Sequence, residues 1–209
     1  MKKRIIIFGG SGFIGSHLIQ YYYKINTTLK LVNCDINNPS VDNKAIYLKY
    51  DVRIKIPIED IVINDYSIIY NLAAIHKTPG HQDKEYFETN IKGAENVCDF
   101  ARRNKINTIV FTSSIAPYAL SEEIKNEKNL PMPNTPYGIS KLVAEEIHKR
   151  WQAEDPNKRK LIILRPGIVF GKKEGGNFTR LYKSLKSGLF IYPGRKDTKK
   201  ACIYVKDLV

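Results

Sequence analysis

Three side chains near the middle of the chain could together move a proton. Tyr137 and Lys141 are four residues apart in a segment with helical spacing, so both side chains face the same side of that helix. A tyrosine phenol, with an ordinary pKa of ~10, is a poor base at neutral pH, but a neighbouring ammonium group stabilises its phenolate. Ser114, at the end of a predicted strand, can hold a substrate oxygen while Tyr137 transfers the proton. These residue types predict acid–base chemistry at a substrate oxygen.

The helix that would carry Tyr137 and Lys141 has a recognisable start in the sequence. Thr135 can cap the helix, and Pro136 suits the first helical position because its nitrogen needs no hydrogen-bond partner there. The apolar residues that recur at helical spacing, and that we therefore expect to face the core, are Ile139, Leu142, Val143 and Ile147. Two ion pairs at four-residue spacing are expected on the helix surface: Glu145 with Lys149, and Glu146 with Arg150.

Predicted strands lie on both sides of this helix. Residues 108–114, TIVFTSS, form an apolar strand that ends in hydroxyl side chains, the last of them Ser114. Residues 160–170, KLIILRPGIVF, form the strand after the helix. The intervening residues 120–134 are rich in Glu, Lys, Asn and Pro, so we expect a surface loop over the site.

The amino-terminal segment, KKRIIIFGGSGFIGS, predicts a strand, a glycine-rich turn and a helix in direct succession. The apolar run at residues 5–8 suits a strand buried on both faces of a parallel sheet. Gly9, Gly12 and Gly15 remove side chains where the backbone must turn and approach a pyrophosphate. The helix that follows offers unpaired N–H groups and a positive dipole end to the phosphates. The segment therefore predicts nucleotide binding.

A carboxylate follows the second predicted strand. Residues 29–34, LKLVNC, form that strand, and Asp35 stands at its tip, twenty residues after Gly15. A carboxylate at this point can accept hydrogen bonds from the adenosine ribose hydroxyls, and it repels a 2′-phosphate. Asp35 therefore favours NAD over NADP.

The composition is that of an ordinary globular chain: 209 residues, 43% hydrophobic and 26% charged. The formal net charge is +13, but the lysines are scattered, so nucleic acid is not an expected partner. No apolar run approaches the roughly 18–20 residues of a membrane helix, and the apolar run IIIF after MKKR is too short for a signal peptide. We therefore expect a cytoplasmic protein without membrane insertion. The cysteines and histidines lack metal-ligand spacing, so no metal site is predicted.

Several motifs stand in the order typical of one superfamily: GGSGFIGSHL, then TSS, then YGISK, then YVKDLV. By these motifs the chain resembles the extended short-chain dehydrogenase/reductases, and among them the NAD-dependent nucleotide-sugar epimerase/dehydratase family. The resemblance covers essentially the whole chain. It implies an α/β fold, a Rossmann-type doubly wound parallel sheet flanked by helices, over residues 1–170, and the beginning of a small substrate-binding part over residues 171–209. Family chains usually continue well past YVKDLV, so part of the sugar pocket is expected to be absent from this chain.

The same resemblance implies roles for residues in the cofactor site. Asp51 and Val52 match a step whose aspartate meets the adenine amino group, and the step at Leu72, Ala73 and Ala74 lets backbone lie against the cofactor. An asparagine in the position of Asn90 supports the active site from behind. The residues implied to bind NAD are Gly9, Gly12, Phe13, Ile14, Gly15, Asp35, Asp51, Val52, Leu72, Ala73, Ala74, Asn90, Tyr137, Lys141 and Pro166.

The resemblance also implies that Ser114, Tyr137 and Lys141 are catalytic, with Ser114 on the substrate oxygen. A nucleotide-diphosphate sugar needs cations and hydrogen-bond donors for its diphosphate. Asn177 matches a family asparagine near that group, and Lys200 stands where relatives usually carry an arginine. The basic residues near Lys200, including Arg195, are consistent with an anionic ligand.

The residues after Ser114 narrow the reaction. Family 4,6-dehydratases place Asp-Glu there, because eliminating water needs an extra acid and base, whereas this chain has Ile115 and Ala116. The resemblance therefore implies NAD-dependent oxidation–reduction at a sugar carbinol, as 4-epimerisation through a transient keto-sugar. A nucleotide-sugar reductase or dehydrogenase, or a non-catalytic NAD-binding protein, are the alternatives. Relatives often form homodimers through the helices of Asn90 and Tyr137.

Overall fold

A computed structural model describes residues 4–40, 44–57, 67–77, 80–188, 190–191, 194 and 196–209. The chain divides into two compact units, Met1–Arg165 and Pro166–Val209. The division falls before the boundary at residue 170 that the sequence predicts, because the segment after Arg165 pairs with a strand near the carboxyl end of the chain. Among the described residues, none of the helices combines the length and the apolar character that crossing a membrane requires.

The described residues of the first unit form a parallel sheet of six strands in the order β3-β2-β1-β4-β5-β6. The strands are β1 (Arg4–Phe8), β2 (Lys30–Asp35), β3 (Ile46–Lys49), β4 (Ile68–Asn71), β5 (Thr108–Thr112) and β6 (Lys160–Leu164). The strand order reverses direction between β1 and β4, which is the switch point at which doubly wound sheets bind ligands. The predicted Rossmann-type fold is confirmed.

Helices connect these strands. They are α1 (Phe13–Ile25), α2 (Asp83–Tyr86), α3 (Lys92–Arg103) and α4 (Pro136–Ala153), with a π-helical turn at Phe87–Ile91 and a 3₁₀ turn at Ala116–Tyr118. Strand β1 is buried because it lies inside the sheet, and Phe8 packs edge-on against Phe100 of α3 with ring centroids 5.7 Å apart. Trp151, near the end of α4, has no exposed surface and belongs to the same core.

Two predicted strands are shorter than expected. Strand β5 ends at Thr112, so Ser114 lies in the loop after the strand rather than within it. Strand β6 ends at Leu164, and the prediction of one continuous strand to residue 170 is wrong. Pro166 has no N–H group to continue a ladder, so the sequence Arg-Pro-Gly ends the pairing.

The second unit has its own small sheet. Strands β7 (Ile168–Phe170) and β8 (Cys202–Tyr204) pair in parallel, with helices α5 (Asn177–Lys186) and α6 (Val205–Leu208). Phe170 stacks on Phe178 of α5 with ring centroids 4.9 Å apart, which packs that helix against the sheet.

Helix α4 buries a different face from the one that its apolar residues predict. Its start is as expected, because the Thr135 side chain accepts a hydrogen bond from the Gly138 N–H at 3.1 Å. Ile139 and Val143, however, are 39% and 37% exposed. The buried side of the helix is largely polar and consists of Gly138, Ser140, Lys141, Ala144, Glu145, His148 and Trp151.

Candidate functional site

The glycine-rich turn lies at the carboxyl ends of β1 and β4. Gly9 has a positive φ of 82°, and a Cβ atom there would come within 2.7 Å of the Ala73 nitrogen. A Cβ atom on Gly15 would lie 2.4 Å from the Gly9 carbonyl oxygen, so helix α1 can approach the turn only without a side chain at this position. Leu72 donates its N–H to the Phe8 carbonyl at 2.9 Å. The structure therefore brings together the turn and the small-residue step after β4.

Asp35 borders this turn. Its carboxylate accepts hydrogen bonds from the backbone N–H groups of Ser11, at 3.0 Å, and Asn37, at 2.9 Å. Helix α1 begins directly beyond, with Phe13 and Ile14 in its first turn and Gly12 at its cap without a side-chain hydrogen bond. The Asp35 carboxylate therefore binds the turn at Ser11, two residues before α1 begins at Phe13.

Asp51 is engaged in a local ion pair. Its carboxylate accepts from the Arg53 guanidinium, with an N–O distance of 2.6 Å, and from the Arg53 N–H at 2.9 Å. These hydrogen bonds with Arg53 lower the pKa of Asp51, and partial burial opposes them. Val52 is buried, and its carbonyl accepts from the Asn96 side chain at 2.7 Å. The adenine contact of Asp51 and Val52 stays a prediction.

Asn90 lies in the π-helical turn and is 3% exposed. Its side chain accepts from the Ile75 N–H at 2.9 Å and donates to the Ile75 carbonyl at 3.1 Å. It also donates to the Ser140 hydroxyl of α4 at 2.9 Å. Asn90 therefore fixes the loop after β4 against the helix of Tyr137, and π-helical turns are frequent at functional sites.

Ser114 lies close enough to Tyr137 to affect its ionisation. Burial raises the pKa of Tyr137, and the Ser114 side chain lowers it, with burial the larger effect. The Tyr137 ring lies 6.1 Å from that of Tyr86, centroid to centroid. In this state Tyr137 is a phenol at neutral pH, and it needs a nearby positive charge to become a base.

Lys141 is 2% exposed and lies beside the carboxyl end of β5, just before Ser114. Its ammonium nitrogen donates to the Thr112 carbonyl at 2.7 Å and lies 4.3 Å from the Phe111 ring centroid. Burial lowers the pKa of Lys141 from 10.5 to about 7, while the Glu145 carboxylate acts in the opposite direction. Lys141 therefore gains or loses its proton near neutral pH.

Replacing Lys141 with Met is expected to change how stability depends on pH. Between pH 7 and 10.5 the unfolded chain binds the Lys141 proton more tightly than the folded chain, so the free energy of unfolding rises with pH there. A methionine side chain has no such proton, so the wild type loses stability relative to Lys141→Met as the pH falls from 10.5 to 7. Urea unfolding across this range measures the difference, and Lys149→Met, an exposed lysine on the same helix, is the control. If the difference in free energy of unfolding between the wild type and Lys141→Met stayed constant across this pH range, the lowered pKa of Lys141 would be contradicted.

Sequence reasoning missed two buried polar side chains beneath the site, Glu145 and His148. Glu145 is completely buried and bound to Arg165 rather than exposed with Lys149, so the predicted surface pair is wrong. Glu146 pairs with Lys149 at 2.7 Å, not with the residue four positions on. His148 stacks on the Phe111 ring at 4.2 Å, and burial lowers its pKa from 6.5 to about 4. The one sequence signal for the burial of Glu145 was its four-residue spacing from Lys141, which places both side chains on one face of the helix.

The remaining predicted residues belong to the second unit. Pro166 is its first residue, and Asn177 opens α5. Lys200 is exposed in the segment before β8. Arg195 lies outside the described residues. The substrate contacts of Asn177 and Lys200 and the cofactor contact of Pro166 stay predictions. Within the described ranges, no group of three His, Cys, Asp or Glu side chains is placed to hold a metal ion.

Comparison with known proteins gives concordant matches. The model of the NAD dependent epimerase/dehydratase family matches residues 5–209. The N-acetyl-alpha-D-glucosaminyl-diphospho-ditrans,octacis-undecaprenol 4-epimerase of Escherichia coli O157:H7 is 29% identical over 213 residues, which cover 100% of this chain and 62% of that protein. This chain therefore spans less than two thirds of that relative's length.

Solved structures share the fold. MoeE5 in complex with UDP-glucuronic acid and NAD superposes with a TM-score of 0.83 at 24% identity, over 98% of this chain and 69% of that one. UDP-N-acetylglucosamine 4-epimerase from Bacillus cereus superposes with a TM-score of 0.78 at 25% identity, over 98% of this chain and 68% of that one.

Proposed function

Since this chain belongs to the NAD dependent epimerase/dehydratase family, we propose that it binds NAD and 4-epimerises a sugar that is linked to a diphosphate. The observation that carries the proposal is the placement of Ser114 beside Tyr137, one helical turn from the buried Lys141. A protein that only bound the cofactor would have no need of this arrangement. A reductase or dehydrogenase acting on the same substrates is the alternative within the family.

The glycine-rich turn fits a dinucleotide. A Cβ atom on Gly15 would collide with the backbone of the turn, so only a glycine here lets the start of α1 lie close to the turn. The N–H groups at the start of α1 are the ones that can bind a pyrophosphate. The Asp35 carboxylate is held at the tip of β2 by the Ser11 and Asn37 N–H groups, and it can accept from ribose hydroxyls. NAD, when bound, supplies the hydride acceptor and donor of the reaction.

The chain's own residues would handle the proton. The Tyr137 oxygen takes the proton of the sugar hydroxyl as the carbinol is oxidised and returns it when the keto group is reduced. Ser114 holds the same sugar oxygen through its hydroxyl. We propose that Lys141, when protonated, stabilises the Tyr137 phenolate once substrate and cofactor are bound. Ile115 and Ala116 have no ionisable group for the elimination of water, so we propose no dehydratase activity.

The carrier of the sugar has two candidates. A nucleotide diphosphate is the first, and Asn177 and Lys200 are the residues that we propose for its diphosphate. A polyprenyl diphosphate is the second, because the relative from Escherichia coli whose name specifies an undecaprenol carrier matches this chain along its whole length. Both carriers present the same diphosphate to the protein.

One experiment tests the function and separates the carriers. The purified protein is incubated with NAD and with UDP-, GDP- or dTDP-linked sugars, or with undecaprenyl-diphosphate-linked N-acetylglucosamine. The product sugars are analysed for the C4 epimer, and the absorbance of reduced cofactor is followed. Formation of the epimer without net reduced NAD supports epimerisation, whereas stoichiometric NADH identifies a dehydrogenase. If neither the epimer nor NADH forms with any of these donors, the proposal is contradicted.

Asp35 is expected to determine the choice between NAD and NADP. Replacing Asp35 with Asn keeps an acceptor oxygen but removes the charge that repels a 2′-phosphate. The ratio of the two dissociation constants should move toward NADP by about tenfold or more, about 1.4 kcal/mol. Fluorescence titration with NADH and NADPH measures this ratio. Asp99→Asn, which removes an exposed carboxylate paired with Arg103, is the control and should leave the ratio unchanged.

We also propose a homodimer formed through the helices of Asn90 and Tyr137. Ile139 and Val143 on α4 support this proposal, because their apolar side chains are more than one third exposed. Size-exclusion chromatography with light scattering tests it. A monomer at micromolar concentration would contradict it.

A further inference from the structure

The carboxylate of Glu145 lies beneath the site without any exposed surface. Ser113 donates its hydroxyl to Oε1 at 2.5 Å, and Arg165 donates from Nε to Oε1 at 2.9 Å and from Nη2 to Oε2 at 2.5 Å. A buried carboxylate is costly unless its charge is paired and its oxygens are hydrogen-bonded. These bonds meet both conditions, and they connect α4 to two other parts of the first unit.

Both connections reach the segment that carries Ser114. Ser113 is its immediate neighbour in the chain. Arg165 donates a hydrogen bond to the Tyr118 hydroxyl, and its guanidinium carbon lies 4.9 Å from the Tyr118 ring centroid. Tyr118 ends the 3₁₀ turn that follows Ser114. The carboxylate of Glu145 is therefore tied to the chain on both sides of Ser114, directly on one side and through Arg165 on the other.

We propose that Glu145 is a positioning residue that holds Ser114 in place opposite Tyr137. The inference rests on the proposed function, because that function assigns Ser114 and Tyr137 to the reaction. Glu145 acts through Ser113 and Arg165, which it binds directly. Because Glu145 lies one turn from Lys141 on α4, its bonds also link the Ser114 segment to the helix that carries Tyr137 and Lys141.

The charge of Glu145 has a second, separate effect. Besides the three hydrogen bonds, it raises the pKa of Lys141 against the effect of burial. His148 and His76 are the other titratable groups on which Lys141 acts, and burial is the larger cause of the low pKa of each. A kinetic test of positioning therefore needs a variant that leaves the carboxylate in place.

Ser113→Ala is that variant, because it removes one hydrogen bond and keeps the pair with Arg165. We expect kcat to fall by about 3- to 10-fold, as the loss of one buried hydrogen bond implies. In a Ser114→Ala background the same change should cost little more, because the residue that is being positioned is already gone. A purely structural role would give additive losses, and additive losses would overturn the proposal.

Hydrogen exchange tests the same idea without substrate. In Glu145→Gln, the amides of residues 113–116 and of Tyr118 should exchange about tenfold faster or more, while those of α1 keep their protection. Glu146→Gln is the matched control, since Glu146 is the exposed neighbour on the same helix and pairs only with Lys149 in the contacts described. Unchanged exchange in residues 113–118 would overturn the proposal.

The two readouts separate this inference from the proposed function. If no diphosphate-linked sugar is turned over, the exchange experiment still decides whether Glu145 orders the Ser114 segment. If Glu145→Gln does not fold, Ser113→Ala supplies the exchange measurement, with a smaller increase expected in the same residues. Turnover with unchanged exchange would leave the function standing and remove the role of Glu145.

Discussion

Replacing Tyr137 with Phe is expected to lower kcat by about 10³-fold while NAD still binds. The variant loses the hydroxyl beside Ser114, and with it the group that we propose to move the substrate proton. The ring stays in place, so the packing against Tyr86 should be kept. Turnover of the sugar that the wild type accepts is measured together with NAD affinity.

Tyr86→Phe is the matched control for this change. Its hydroxyl donates to the Lys77 carbonyl, and its ring neighbours that of Tyr137, so the variant removes a nearby phenol without removing the proposed base. We expect its kcat to remain close to that of the wild type. Full activity in Tyr137→Phe would remove Tyr137 from the mechanism.

Replacing Gly15 with Ala is expected to abolish useful cofactor binding. The new Cβ would lie 2.4 Å from the Gly9 carbonyl oxygen and 2.6 Å from the Gly10 Cα, and both are backbone atoms of the turn. The turn must shift, so NAD affinity should fall by about 100-fold or more and the free energy of unfolding by about 1–3 kcal/mol. Titration with NADH and urea unfolding measure the two effects.

Gly175→Ala is the control for Gly15→Ala. A Cβ atom on Gly175 meets nothing within 4 Å, so this variant makes the same chemical change in open space. It should bind NADH as the wild type does. Equal affinity in both variants would show that the turn tolerates a side chain, and it would remove the steric argument for the predicted pyrophosphate site.

Local signals predicted the elements that surround the glycine-rich turn. Helix α1 directly follows the glycine-rich turn, as the sequence indicated, and α4 begins at Pro136 behind the Thr135 cap. Each depends on residues within a few positions of one another, such as a glycine turn or a capping hydroxyl. The prediction for Asp35 rests on the same kind of signal, because Asp35 stands at the tip of a strand.

The polar interior of α4 could not be predicted in this way. Ile139 and Val143 look like a buried face by spacing, yet the sheet side of the helix carries Lys141, Glu145 and His148. Their partners, Thr112, Phe111 and Arg165, are far away in sequence, so only the folded chain shows what satisfies them. Helical periodicity detects apolar residues, whereas these polar residues are buried because of long-range pairing.

The single tryptophan gives the protein a built-in optical reporter. Trp151 is fully buried at the far end of the helix that carries Tyr137, and the Arg159 guanidinium carbon lies 5.1 Å from its ring centroid. Its emission should move to longer wavelength when the first unit opens, because water then reaches the indole. Every unfolding free energy predicted above can therefore be read from the unlabelled chain by intrinsic fluorescence, with no second indole to confuse the signal.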